Sequence, residues 1–298
     1  MTGWWRTTSR IGVELDGRRV RAAQFQTSRG VSVVHAVAEV LLPADSDGQR
    51  SAELIAGVLS RRGFLGTELC VGVPVGVLQS DLVEVPAGAA DSPSDGLREM
   101  FAKATRRTPD DLEVGFWRGV EGASAAFAVA LSHDEARRLV YPLRDAGLDV
   151  AAIGCAGSAL AEVVTRLEVH PGEVTGVVRF GWDHNHFVLL RGGDVLYQRS
   201  LDTPGFEIAL DTHEAATRRA TSALADEIAS TLDCVPRTFP GVTLERVFLS
   251  GLLAERDHLA EMLRKRLVHF DVACLGGFAP AGSRFDVAAG LALAEVGP

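Results

Sequence analysis

At 298 residues, with 47% hydrophobic and 23% charged residues, the chain has the composition of a globular protein with room for two cores. Its net charge of −9, with no basic block above that background, argues against a nucleic-acid partner, and its longest apolar runs fall short of the ~18–20 residues that cross a bilayer. Its two lysines, Lys103 and Lys265, follow no Gly-rich loop, which excludes a P-loop phosphate cradle, and there is no G-x-S-x-G nucleophile elbow.

The opening predicts a three-strand meander: Arg10–Leu15 and Val20–Gln26 around an Asp16-Gly17 turn, then Val31–Leu42 after Ser28-Arg29-Gly30. Asp45-Ser-Asp-Gly48 breaks the pattern, a helix follows from Ala52 to Arg62, and Glu68–Val73 is a buried strand. From Val75 to Val150 the order is strand, helix, two strands, helix. Within it, Ser132-His-Asp-Glu135 is a capping box at the start of the second helix. Asp149–Ile153 returns as a strand and Ser158–Leu167 as a helix. The second half restarts with a meander at Val174–Phe180, His186–Arg191 and Val195–Ser200. A long helix from Glu214 to Leu232, a strand at Leu244–Leu249, a helix at Leu259–Leu267, a strand at Phe270–Leu275 and an Ala-rich helix from Asp286 to Val296 complete the chain.

Three stretches carry the most information. Arg10–Ala22 and Val177–Leu190 each consist of an apolar strand, a tight Gly-containing turn and a second strand; Val247–Leu253 is a strand running into Ser250-Gly251. Their order resembles the skeleton of the actin-like ATPase superfamily, in which the two hairpin turns hold phosphates and the late turn holds the nucleoside. The layout is similar to the PilM family, the cytoplasmic actin-like component of type IV pilus assembly platforms, and to the cytoplasmic part of GspL-type secretion proteins. Ile11-Gly-Val-Glu-Leu-Asp-Gly-Arg-Arg-Val-Arg-Ala22 sits in register with that family's first hairpin. Asp145-Ala-Gly-Leu-Asp149, Arg191-Gly-Gly-Asp-Val-Leu-Tyr-Gln-Arg-Ser200, Phe248-Leu-Ser-Gly251 and Ala288-Ala-Gly-Leu-Ala-Leu293 match its later motifs.

The resemblance implies an α/β, two-lobed actin-like (ribonuclease H-like) ATPase fold with an inserted α/β subdomain in the first lobe. The first lobe is then 1–75 with 151–170, the insert 76–150, and the second lobe 171–298. The nucleotide positions it implies, if any nucleotide binds, are Glu14, Asp16, Gly17, Arg18, Arg179, Gly181, Ser250 and Gly251, and several are altered. Glu14 stands where the family has an Asp that contacts Mg²⁺ through water. Asp16 replaces a Gly whose amide lies against phosphate, Arg179 replaces another Asp, and Leu252 replaces a second Gly after Ser250-Gly251. Two like charges ~4 Å apart repel by ~4 kcal/mol at an effective dielectric of ~20, so the Asp16 carboxylate opposes a phosphate. Arg18 and Arg19 are expected to point to water.

The reading that follows is a non-catalytic scaffold of an inner-membrane pilus or secretion platform, with no catalytic residues, no metal and no cofactor. Its implied partner is the cytoplasmic tail of a single-pass platform protein, extended and apolar with a few basic residues, held between the first lobe and its insert. A pilus or secretion motor protein is a second partner. The alternatives are an ATP-binding switch with Mg²⁺ and, more distantly, a sugar or metabolite kinase relative, which lacks its catalytic Asp after the second hairpin. Met1–Arg10 lacks the apolar core of a signal peptide, so the expected location is cytoplasmic, at the inner face of the membrane through the partner. Cys70, Cys155, Cys234 and Cys274 are expected to be reduced and buried. Asp183-His184-Asn185-His186 reads as a surface turn, and Trp4-Trp5-Arg6 as either a membrane or partner contact or packing of the tail on the first lobe.

Overall fold

The computed structural model describes residues 7–84, 93–117, 125–167, 169–170, 172–203, 205, 214–276, 278 and 282–294. In chain order these form β1 (Thr7–Thr8), β2 (Ile11–Asp16), β3 (Arg19–Ser28), β4 (Val31–Leu41), α1 (Gly48–Arg61), β5 (Glu68–Gly72), β6 (Gln79–Glu84), α2 (Pro93–Thr105), β7 (Leu112–Trp117), β8 (Ala125–Ser132), α3 (His133–Asp145), β9 (Asp149–Gly154) and α4 (Ala156–Val164). The second half adds β10 (Val174–Phe180), β11 (Asn185–Arg191), β12 (Asp194–Leu201), α5 (Glu214–Thr238), β13 (Leu244–Gly251), α6 (Asp257–Arg266), β14 (Asp271–Cys274) and α7 (Asp286–Leu293). The proposed contact of Trp4 and Trp5 and the helix end at Val296 lie outside the described residues.

Two sheets repeat one plan. The first orders its strands β4-β3-β2-β5-β9, with β1 pairing with β3 beside β2; the second is β12-β11-β10-β13-β14. In each, an antiparallel meander supplies three strands and two parallel strands extend the far side. Parallel strands need covered crossovers, and the helices that connect them are the ones the apolar spacing predicts. The two meanders are separate sheets, as expected of two lobes. The fold is a two-lobed actin-like α/β fold with mixed sheets and an inserted subdomain.

Local chemistry sets the boundaries. Helix α1 starts a turn before its apolar stripe because Asp47 caps it, accepting from Arg50 N at 2.8 Å. Ser132 likewise accepts from Glu135 N at 3.2 Å, but the Glu135 carboxylate turns to Arg138, so half of the expected capping box forms. Cys155 and Ser158 cap α4 reciprocally. Cys70 and Cys155 are buried, whereas Cys234 and Cys274 are exposed, contrary to expectation. Cys234 lies on a polar face of α5, and Cys274 ends the edge strand β14.

The expected insert, 76–150, holds two kinds of element. Strands β6, β8 and β7 form a separate sheet that shares an apolar core with α2 through Val83, Leu97, Phe101, Leu112 and Ala128. Helix α3 instead packs on α1, and Leu143, Leu148 and Val150 join Ile55, Leu59 and Leu69 in the core of the first sheet. Phe127, on the other face of β8, reaches Tyr197 of β12 edge-on at 6.4 Å, so the small sheet touches both lobes.

The lobes also exchange helices. Helix α4 leaves the first sheet and buries Leu160, Val163 and Val164 with Val177, Val188, Leu190 and Val195 of the second sheet. Helix α7 leaves the second half and lies on the first sheet, where Ala288, Ala289 and Ala292 meet Ala23 and Phe25. The approach is close enough that a Cβ on Gly12 would overlap the Ala288 carbonyl, and one on Gly290 the Ala159 carbonyl of α4. Small residues are needed at both crossings. Gly290→Ala is therefore expected to destabilise the protein by about 2–3 kcal/mol through overpacking against backbone. An unchanged midpoint in urea unfolding would contradict this packing.

Candidate functional site

The two hairpin turns face each other across the lobe interface. The first closes at the Asp16–Arg19 pair, with Gly17 at φ +58°; the second closes at Phe180–Asn185. Between them lies a cleft of about 260 Å³, lined by Glu14, Asp16, Gly17, Arg179, Asp183 and His186 among others.

A buried ion cluster fills the position where the resemblance puts phosphate. Arg179, on β10 and 3% exposed, reaches across the interface to Glu14, and its Nη2 lies 3.2 Å from Asp16 Oδ2. Arg21, fully buried on β3, approaches the same carboxylates from within the first lobe: Nη1 lies 3.2 Å from Glu14 and 3.0 Å from Asp16, and Nε 3.3 Å from Glu39. The backbone N–H groups of Trp182 and Asp183 donate to Asp16 at 2.7 and 3.3 Å. Successive turn amides of this kind form an anion-binding concavity, and here the anion is the protein's own carboxylate.

Burial opposes ionisation of Asp16, but the Arg179 and Arg21 charges and the Trp182 N–H outweigh it and hold its pKa at about 2. Burial also opposes the charge on Arg179, and the adjacent Glu14 and Asp16 outweigh it and raise its pKa. Asp183 is raised, by burial and by the Asp16 charge. His186 is pushed down to about 3 by burial and then by Arg179, so it is neutral, and its Nδ1 is buried without a hydrogen bond. The surface-turn reading of 183–186 is thus corrected. His184 is exposed, but Asn185 and His186 are buried because β11 is an interior strand. Among the described residues, no group of three or more His, Cys, Asp or Glu could hold a metal ion.

The late turn is closed as well. Gly251, at φ +89°, lies so near Phe180 that a Cβ would overlap that carbonyl, and Leu252 N donates to Phe180 O at 2.8 Å. Ser250 is buried and donates to Asp286 Oδ2 at 2.8 Å. Burial raises the Asp286 carboxyl to about 8, with Glu14 adding to it, although the Ser250 bond pulls it down. Gly181 packs against the His184 carbonyl and Arg179.

The structure therefore brings together Glu14, Asp16, Gly17, Arg179 and Gly181 of the expected set. It sets Ser250 and Gly251 one layer back and leaves Arg18 outside, exposed, with Nε donating to Leu42 O at 2.9 Å. Arg19 does not point to water as expected. It pairs with Glu39, and its guanidinium lies 4.4 Å from the Trp182 ring centre. Sequence reasoning missed Arg21, although its signal was present: a turn closing at Asp16 and Arg19 puts Arg21 opposite Glu14. It also missed Asp286, an acid heading an otherwise apolar helix.

No protein-family model matches the chain. No curated protein matches it in sequence. Its fold is similar to several solved structures. The PilM–PilN type IV pilus biogenesis complex matches with a TM-score of 0.75 and 18% identity, over 96% of this chain and 98% of that one. The ethanolamine utilization protein EutJ from Carboxydothermus hydrogenoformans matches at 0.55 and 13%, over 96% and 89%. The cytoplasmic domain of EpsL, an inner-membrane component of the type II secretion system of Vibrio cholerae, matches at 0.50 and 14%, over 88% and 95%. At these identities the likeness establishes the actin-like fold.

The two buried acids give opposite pH dependences. Asp16 has a folded pKa below its ordinary value, so its contribution of about 2 kcal/mol is present above pH ~4 and lost as pH falls towards 2. Asp286 has a raised pKa, so stability falls as pH rises from about 4 to about 8. Asp286→Asn keeps an acceptor for Ser250 and removes that loss. It is expected to raise the thermal midpoint at pH 8 more than at pH 4, and equal shifts at both would contradict the assignment.

Proposed function

We propose that this protein is a PilM-like, non-catalytic scaffold of a type IV pilus or secretion assembly platform, and that it holds an extended tail of a membrane partner. The observation that carries the reading is a contrast between two concavities. The cleft presents no free anion site: the turn amides hold Asp16, the guanidiniums are shared with Glu14 and Asp16, and the volume is below the ~300–1,000 Å³ of small-molecule sites. These residues do not fit Mg-ATP held as the resemblance implies.

The other concavity is apolar and open. About 410 Å³ lies between the small sheet and the first sheet, lined by Leu78, Val114, Trp117, Val129, Leu131 and Ile153, with Glu113 and His133 also on its wall. Among the described residues, strand β7 pairs with β8 alone and β9 with β5 alone, so both flanking strands are sheet edges there. Edge strands accept an extended peptide by backbone pairing while adjacent pockets take alternate side chains. Glu113 on the groove wall is shared with Arg98, 3.5 Å away, so the apolar side chains carry the recognition.

The likeness to a PilM–PilN complex over nearly the whole of both chains supports a membrane-protein partner of this kind. No helix among the described residues is long and apolar enough to cross a membrane, so a tether would recruit the protein to the inner face of the membrane. In this reading the lobe and insert divisions are those expected from the sequence. Helix α3 serves as the brace that fixes the groove's wall to the first sheet.

The test uses synthetic cytoplasmic tails of single-pass membrane proteins encoded beside this gene, with binding followed by Trp117 fluorescence and calorimetry. One tail is expected to bind in the micromolar range, as short segments that order on binding do. Ile153→Asp, at a partly exposed groove position, should weaken it at least about tenfold, since a desolvated charge in an apolar contact costs more than ~1.4 kcal/mol. Mg-ATP should give no binding heat. Tail binding indifferent to Ile153→Asp would remove the groove from the proposal, and micromolar Mg-ATP affinity would favour the ATP-binding switch.

A further inference from the structure

The face of the first sheet that α1 covers is bare where α1 ends. The helix stops at Arg61, while β3 and β4 run on to a turn at Arg29 and Gly30, both with positive φ. A β-bulge at His35 resets the side-chain alternation, because Gln24 pairs with Ala36 but Phe25 pairs with Val34. Val34 consequently packs with Phe25 on the α7 side. Val31 and Val33 take the opposite face, 63% and 56% exposed.

The loop after α1 closes on this strip. His35 Nε2 lies 3.1 Å from the Gly63 carbonyl, and the Gln24 amide bonds Leu65 N and O at 2.8 and 2.7 Å. Leu65 is thereby fixed beside the strands with half of its surface exposed. Arg61 and Arg62 flank it; both are exposed and, among the described residues, neither is ion-paired. The nearest acid along the chain, Glu68, is held by Arg10. On a protein of net charge −9, this corner carries two arginines without acid partners among the described residues and three exposed aliphatic side chains, with Asp149 opposite Glu68 at the next strand over.

We infer that this hairpin end is a contact site for an anionic phospholipid surface. Arginines without acid partners attract the headgroup layer, and aliphatic side chains among them insert at the boundary with the acyl region. The contact is independent of the groove: the patch lies at the Leu65–Glu68 end of β5, and the groove begins at Val73, past its other end.

The test is co-sedimentation of the full chain with vesicles of phosphatidylcholine alone and of an equimolar phosphatidylglycerol–phosphatidylcholine mixture. Binding to the anionic vesicles alone, weakened by salt, is expected. The double substitution Arg61→Ala, Arg62→Ala should lower it about 25-fold, at about fivefold per arginine. Val31→Ser with Val33→Ser should lower it at unchanged charge, while Arg264→Ala with Lys265→Ala, on α6, should leave it unchanged. Equal binding to both vesicle types, no binding, or equal loss in the α6 control would overturn the inference. So would a dimer in light scattering that Val31→Ser with Val33→Ser dissolves, since that would make the patch a contact between copies. Groove binding of a tail peptide is measured separately and is expected to survive all of these changes.

Discussion

The Arg179 guanidinium spans the two halves of the molecule. Arg179 leaves the second sheet and ends between two carboxylates of the first, where Arg21 already balances part of their charge. Two acids and two arginines in a nearly dry site are stable as a set and costly in part, because removing one member of a buried pair typically costs 3–5 kcal/mol, left as uncompensated charge. The turn amides of Trp182 and Asp183 make the set geometrically specific, since they donate from fixed positions to the two carboxylate oxygens of Asp16. The relative position of the hairpins follows from that requirement.

Below the cluster, the exchanged helices provide the second attachment. Helix α4 belongs to the first half by sequence and to the second sheet by packing, and α7 does the reverse. Their crossing works because Gly12 and Gly290 let backbone meet backbone, and the Ala-rich face of α7 adds no bulk. An ion cluster at the mouth and a close-packed crossing at the base join the two lobes.

In the proposed scaffold, recognition falls to the outside of the lobes. The apolar groove along β7 and β9 and the basic, aliphatic end of the β3–β4 hairpin are both at the ends or edges of sheets, where backbone or side chains remain unpaired. They lie at opposite ends of β5, a separation that allows a peptide and a planar surface to be engaged together.

Local signals determined much of this protein. The Asp16-Gly17 turn, the Gly192-Gly193 turn, the Ser132 cap and the spacing of apolar residues specify both meanders and most helices, because turns and caps act within a few residues. The order of the three motif stretches was enough to indicate an actin-like plan, and the odd residues in them, Asp16 and Arg179, were visible as departures. What those departures do was decided by tertiary structure. Asp16 and Arg179 are 163 residues apart, and whether they repel a ligand or neutralise each other depends on a contact that no local rule contains. The same holds for His186, buried because its strand is interior, for α3, which packs on α1 rather than on the strands before it, and for Cys234 and Cys274, exposed on outer elements. Periodicity tells which face of an element is apolar; only the assembled sheets and exchanged helices decide what that face meets.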